Sequence, residues 1–149
     1  EAINPNIKSL NYLNNILAKI EAARAGAVEA IMLNNEGYVA ECTGDNIFII
    51  SNGIIKTPSP ALGGLPGITR DAVIEVARKM GYTVEETFFT RYDIYTADES
   101  FLTGTAAEAL PVVELDGRQI GDGKAGSITQ KLIAAYRELA NSEGTTIGE

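Results

Sequence analysis

Two short apolar runs, NIFIIS (46–51) and IIKTP (54–58), flank the dipeptide Asn52-Gly53. Each run has the length and the Ile and Phe content of a strand, and Asn-Gly suits the positive φ angles of a two-residue type I′ turn. A β-hairpin over 46–58 is therefore predicted, and its neighbours are assigned around it. Upstream, residues 9–25 read as a helix with Leu10, Leu13, Ile16, Leu17 and Ile20 on one apolar face and Gly26 as its stop. AVEAIMLN (27–34) and YVAE (38–41) read as strands joined by a turn at NEG (35–37).

Downstream, SPALGGLPG (59–67) is a loop. A helix is predicted from Ile68 to Met80, with Val73, Val76, Ala77 and Met80 on one face and Gly81 ending it. YTVEETFF (82–89) reads as a strand, RYDIYTAD (91–98) as a short helix and SFLTG (100–104) as a strand leading into TAAE. LPVVELDG and RQIG suggest a second hairpin around Asp116-Gly117. The last helix is predicted from Ser127, with Ser127 and Gln130 as a capping box, to about Asn141. EAINPN at the start reads as a connector and SEGTTIGE at the end as a loose tail. Hairpins interleave with helices without regular βαβ alternation, so one α+β domain over residues 1–149 is expected.

Composition narrows the chemistry. The chain has no histidine, which removes Ser-His-Asp and Cys-His catalysis and most zinc sites. Its net charge of −8 argues against nucleic acid as the main partner. Cys42 is the single cysteine, so no intrachain disulfide can form; a cytoplasmic setting and a small buried or semi-buried residue are expected. No apolar run approaches the roughly 20 residues of a membrane helix, and no signal-peptide pattern appears. Phosphate-binding P-loop and GxGxxG fingerprints are absent from the sequence.

Acid–base work then falls to Lys, Tyr, Asp, Glu or a cofactor. Lys8 stands just before the first predicted helix, where a solvated lysine is the commoner reading and an amine nucleophile the sharper one. Tyr12 lies about one helical turn on, placed either to orient Lys8 or to pack in the core. Glu41, at a strand end before small residues, is an ordinary surface charge or a partner for a protonated ring nitrogen. LPGITRD (65–71) puts Gly67, Ile68 and Thr69 at a helix start, where unpaired N–H groups and the dipole favour an anion. TGTAAE (103–108) is a second candidate cradle, with Thr103 and Thr105 hydroxyls; its duller reading is a plain strand-to-helix connector. Each signal is weak alone. Together they are the parts that a lysine-bound pyridoxal 5′-phosphate needs: an amine, a carboxylate for the pyridinium nitrogen and anion cradles for the phosphate.

NIKSLNYLNN, EAIMLNNEGYVAECTGDNIF, GGLPGITRDAVIEVARKMGYTVEE and ADESFLTGTAAEALPVVELDGRQIGDGKAG follow in order and cover most of the chain. In this combination the chain resembles the larger, C-terminal domain of fold-type IV pyridoxal-phosphate enzymes, specifically branched-chain-amino-acid aminotransferases. The resemblance implies a mixed, largely antiparallel, barrel-like sheet flanked by helices. It implies that Lys8 is the Schiff-base lysine and proton carrier, and that Glu41 pairs with the pyridine nitrogen. Leu65 would lie against the ring. Gly67, Ile68, Thr69 and Thr105 would meet the phosphate, and the backbone of Thr105 and Ala106 would meet the substrate carboxylate. Tyr12 matches a tyrosine of the branched-chain members and is typically absent from D-amino-acid aminotransferase relatives.

The implied reaction moves the amino group of L-leucine, L-isoleucine or L-valine to 2-oxoglutarate, giving a 2-oxo acid and glutamate. A homo-oligomer is implied. D-amino-acid aminotransferase and aminodeoxychorismate lyase chemistry are the alternatives within the fold. The family's small N-terminal domain, which supplies a phosphate-binding arginine and much of the substrate pocket, has no match in this sequence. A fragment that binds cofactor without turning over substrate is therefore the alternative from another class.

Overall fold

The computed structural model describes residues 6–142. Residues 1–5 of the expected connector and 143–149 of the expected tail lie outside the described residues. Helix α1 spans Leu13–Arg24, and strands β1 (Ile31–Leu33) and β2 (Val39–Cys42) form an antiparallel ribbon. The predicted hairpin is present as β3 (Asn46–Ser51) and β4 (Ile54–Pro58), turning through Asn52 and Gly53, both at positive φ. Helix α2 (Ile68–Lys79) follows, then β5 (Val84–Thr87), α3 (Arg91–Tyr95), β6 (Glu99–Gly104) and β7 (Glu108–Val112). A small ribbon of β8 (Glu114–Leu115) and β9 (Arg118–Gln119) leads to α4 (Ser127–Ser142).

The central sheet has five strands in the order β5-β4-β3-β6-β7. Only β4 and β5 pair in parallel, because α2 carries the chain back before β5 begins. The α+β class and the mixed, largely antiparallel sheet with flanking helices are as expected. The barrel-like closure is not: β5 and β7 end an open sheet, and the two ribbons stay separate from it among the described residues.

The hydrophobic run in β3 has a simple cause. Ile47 and Ile49 face one core with Val39, Cys42, Phe89, Ile94 and Leu102. Phe48 and Ile50 face the other, with Val73 and Ala77 of α2, Phe101 of β6 and Leu132 of α4. A strand covered on both faces needs apolar residues at every position rather than at alternate ones. Phe48 and Phe101 are cross-strand partners with rings stacked at 4.7 Å. Arg70, buried in the first turn of α2, ties that end of the helix to the sheet through Pro58 O (3.1 Å) and the Glu86 carboxylate (2.8 Å).

Several boundaries move for local reasons. The first helix begins at Leu13, not residue 9, because Ser9 Oγ accepts from Asn11 N–H and Tyr12 N–H turns back to Leu10 O. Lys8 and Tyr12 therefore do not share a helical face; Tyr12 is the N-cap. The apolar stripe of α1 does not reach a core in this chain: Leu10, Leu13, Ile16, Leu17 and Ile20 are exposed and Ala22 alone is buried. The stretch after Gly104 is a strand-to-strand turn, and 108–112 forms β7 against β6. The expected Ser127–Gln130 capping box is replaced by Glu99, whose carboxylate accepts from Ile128 N–H (3.1 Å) and Thr129 N–H (2.7 Å). A carboxylate from a neighbouring strand satisfies two orphan donors and suits the helix dipole.

Phe48→Ala removes a fully buried ring from the stacked pair and leaves a cavity between sheet and helices. A loss of about 3–5 kcal/mol in unfolding free energy is expected, measured by urea denaturation.

Candidate active site

Between β2 and β3 the chain makes a tight corner, closed by Cys42 N–H donating to Asp45 O at 2.7 Å. The corner gathers polar side chains at one end of the sheet: Glu41, Thr43, Asp45 and Asn46. Two other segments arrive there. Asn46 is the strand partner of Thr103, so the end of β6 and the turn at Thr105 and Ala106 lie beside the corner. The loop 63–67 crosses the same place. Leu65 N–H donates to Glu41 Oε2 (2.8 Å), and Asn46 Nδ2 donates to Leu65 O (2.8 Å).

Close approach explains the glycines. A Cβ on Gly64 would stand 2.6 Å from Ala40 O. Gly67 and Gly104 press against the side chains of Asn46 and Asp45, leaving no room for a methyl group. Gly67 caps α2 without a side chain, so the N–H groups of its opening turn keep no side-chain cap.

Electrostatics link the remaining candidates. Burial raises the Glu41 carboxyl above its usual range, while the Leu65 N–H and the Lys8 ammonium pull the other way. Lys8, although exposed, is thus near enough to act on Glu41. Burial also raises the Tyr12 phenol, with the Glu41 charge as the next cause. Tyr12 OH donates to Thr43 O, which also accepts from Asn15 Nδ2 at 3.0 Å. Thr43 OH in turn donates to Glu29, whose carboxylate also takes Ala30 N–H (2.7 Å) and Lys19 Nζ (3.0 Å). The Cys42 thiol is buried and pushed well up, first by desolvation and then by Glu29, so it is an inert core group.

The structure thus brings Tyr12, Glu41, Leu65 and Gly67 to one end of the sheet, with Lys8 on the exposed segment ahead of α1. Ile68 and Thr69 open α2 there; Ile68 is exposed and Thr69 buried. Thr105 and Ala106 stand on the exposed turn, joined to the rest through Thr103 and Gly104. A groove lined by Asp71, Ile74, Glu75, Arg78, Lys79 and Glu86 belongs to the outer face of α2 and involves none of these residues. Sequence reasoning missed Asn46, Thr43, Asn15 and Glu29. The available signals were the polar run ECTGDN between two apolar strands and a lone carboxylate in AVEAIML.

Residues 1–115 match the family described as Amino-transferase class IV. A branched-chain-amino-acid aminotransferase of Pseudomonas aeruginosa is 48% identical over 89% of this chain and 43% of its own length. The crystal structure of a branched-chain aminotransferase from Thermoproteus uzoniensis with norvaline superposes with a TM-score of 0.89 at 44% identity, over 95% of this chain and 48% of that one. The corresponding enzyme of Thermobaculum terrenum in its PLP form gives 0.89 at 45% identity, over 92% and 45%. The chain spans about half the length of the curated relatives it matches.

The Glu29 carboxyl is held below its usual range; burial alone would raise it, but the Thr43, Ala30 and Lys19 hydrogen bonds prevail. A depressed carboxyl stabilises the fold above its unfolded value and loses that contribution as pH falls through the folded value. The stability advantage of the parent chain over Glu29→Gln is therefore expected at neutral pH and should shrink as pH drops below about 4.5. Thermal melting of both proteins between pH 7 and pH 3 measures it.

Proposed function

This chain belongs to the Amino-transferase class IV family, and from that premise we propose that residues 1–149 are the cofactor-binding C-terminal domain of a branched-chain-amino-acid aminotransferase. The proposed reaction transfers the amino group of an L-branched-chain amino acid to 2-oxoglutarate with pyridoxal 5′-phosphate. The observation that carries it is the half-buried Glu41 clamped to the loop that leads into the uncapped start of α2, beside the end of β6; the influence of the Lys8 charge on Glu41 supports it. Identities near 45–48% to enzymes of that name support the substrate class.

The residues present fit the group. Glu41 is half-buried and spends one oxygen on Leu65 N–H, leaving the other for a cationic ring nitrogen. The opening turn of α2 has no side-chain cap, which suits a phosphate at Gly67, Ile68 and Thr69. Thr103 Oγ1, fully buried at the end of β6, has no hydrogen-bond partner among the described residues. Leu65 offers an apolar side chain to one ring face.

Bound pyridoxal phosphate supplies an electron sink for negative charge at the substrate's Cα. Lys8 Nζ would hold the group and would take and return the proton at the substrate's Cα. The Glu41 carboxylate holds a proton on the ring nitrogen. The N–H groups of Thr105 and Ala106 bind the substrate carboxylate, and Thr105 contributes to the phosphate cradle. Tyr12, fixed on Thr43, stands beside Glu41 and favours the branched-chain branch of the family over the D-amino-acid one.

A homo-oligomer, a second domain completing the substrate pocket and a cytoplasmic setting belong to the same proposal. The exposed apolar stripe of α1, the half-length match to relatives and the lone buried cysteine support them. Among the described residues no helix is long and apolar enough to cross a membrane.

Borohydride reduction in the presence of pyridoxal phosphate, followed by peptide mapping, is expected to label Lys8; a label elsewhere overturns the assignment. In the protein of native length, Lys8→Ala should lower transamination between L-leucine and 2-oxoglutarate by on the order of a thousandfold or more. Turnover of D-alanine or aminodeoxychorismate in place of L-leucine would move the protein to another branch of the family.

A further inference from the structure

Helix α1 has an unusual attachment. Its apolar residues are exposed and it buries only Ala22, so packing contributes little to where it sits. Polar links hold it instead. Tyr12 OH and Asn15 Nδ2, from its cap and first turn, both end on Thr43 O. Lys19 Nζ donates to Glu29 Oε2 (3.0 Å) and to Val28 O (2.7 Å).

Thr43 is itself held on every polar side. It is 4% exposed. Its N–H donates to Ala30 O (3.1 Å) and more weakly to Glu29 Oε1 (3.3 Å), and its hydroxyl donates to Glu29 Oε1. Glu29 Oε1 also accepts from Ala30 N–H at 2.7 Å. A carboxylate suits this position because it accepts only: one oxygen gathers the Thr43 and Ala30 donors while the other faces an ammonium. A glutamine here would turn an NH2 group toward Lys19 or toward Thr43.

We infer that Glu29 is a positioning residue: through Thr43 it fixes Tyr12 and Asn15, and with them the segment that presents Lys8 to Glu41. The inference rests on the proposed cofactor role of Lys8. Thr43 stands between Glu29 and Tyr12, and two links in series make the effect of one depend on the other.

The test is a double-mutant cycle in the protein of native length, read by pyridoxal phosphate binding and by the pH at which the absorbance of the bound group changes. Glu29→Ala and Tyr12→Phe are each expected to weaken binding about fivefold, with the double variant no worse than the weaker single one. The absorbance transition should shift in both, because the Lys8 environment moves. Lys19→Ala breaks the ion pair but not the Thr43 contacts, and should stay within about twofold of the parent. Should Glu29→Ala fail to fold by circular dichroism, Thr43→Val takes its place in the cycle, since it removes the hydroxyl that donates to Glu29 and keeps the carbonyl that Tyr12 and Asn15 bond. Independent, additive effects of the two substitutions overturn the inference, as does a Lys19→Ala loss equal to that of Glu29→Ala. A parent protein that pyridoxal phosphate does not modify at Lys8 overturns the cofactor reading together with this one, whereas Lys8 labelling with additive variants overturns this one alone.

Discussion

Both polar groups of the Leu65 backbone are taken by side chains of one corner: its N–H by Glu41 and its C=O by Asn46. This clamp orders much of the site. Leu65 precedes Pro66, so its backbone is confined to extended conformations, and Pro66 offers no N–H of its own. The loop therefore has few other ways to satisfy itself than to lie against the corner. Once it does, Gly67 falls next to Asn46 and α2 must start there. Since Asn46 is also the strand partner of Thr103, the same residue places the β6–β7 turn beside the helix start. A single residue, by its side chain and its backbone, thus relates two stretches nearly forty residues apart in sequence.

The polar gathering is possible because the sheet needs no help at that end. β3 and β6 bury apolar residues on both faces, and the stacked Phe48–Phe101 pair joins their middles. At roughly 25 cal/mol per Å² of apolar surface removed from water, two such strands stabilise the fold enough to leave their ends to other purposes. β3 starts, and β6 ends, at the corner, so the side chains there answer to hydrogen bonding rather than packing.

Local signals made much of this legible. Asn52-Gly53 needs positive φ wherever it occurs, and Gly67-Ile68 opens α2 as its pattern implies. The late start of α1 has a local cause, and the other exceptions turn on distant residues. Glu99 caps α4 from a neighbouring strand, displacing Ser127. The strand character of residues 110–112 was legible, but their pairing with β6 and the strand's start at Glu108 were not. The stripe on α1 has the period of a buried helix and no core to meet in this chain. Lys8 and Glu41 were identifiable by type and by resemblance to a family. Thr43, Asn46 and Glu29 were not, because threonine, asparagine and glutamate near turns are ordinary, and only the contacts distinguish them.

The charge balance at Glu41 shows why the supporting residues matter. Half-burying a carboxylate raises its pKa, so its ionised form costs the fold free energy as pH rises through the raised value. The Leu65 N–H and the Lys8 ammonium each offset part of that cost. The two offsets differ in kind. The N–H belongs to a clamped loop, whereas Lys8 lies on an exposed segment ahead of α1. On the proposed reading, a cationic ring nitrogen held at Glu41 would offset the same cost.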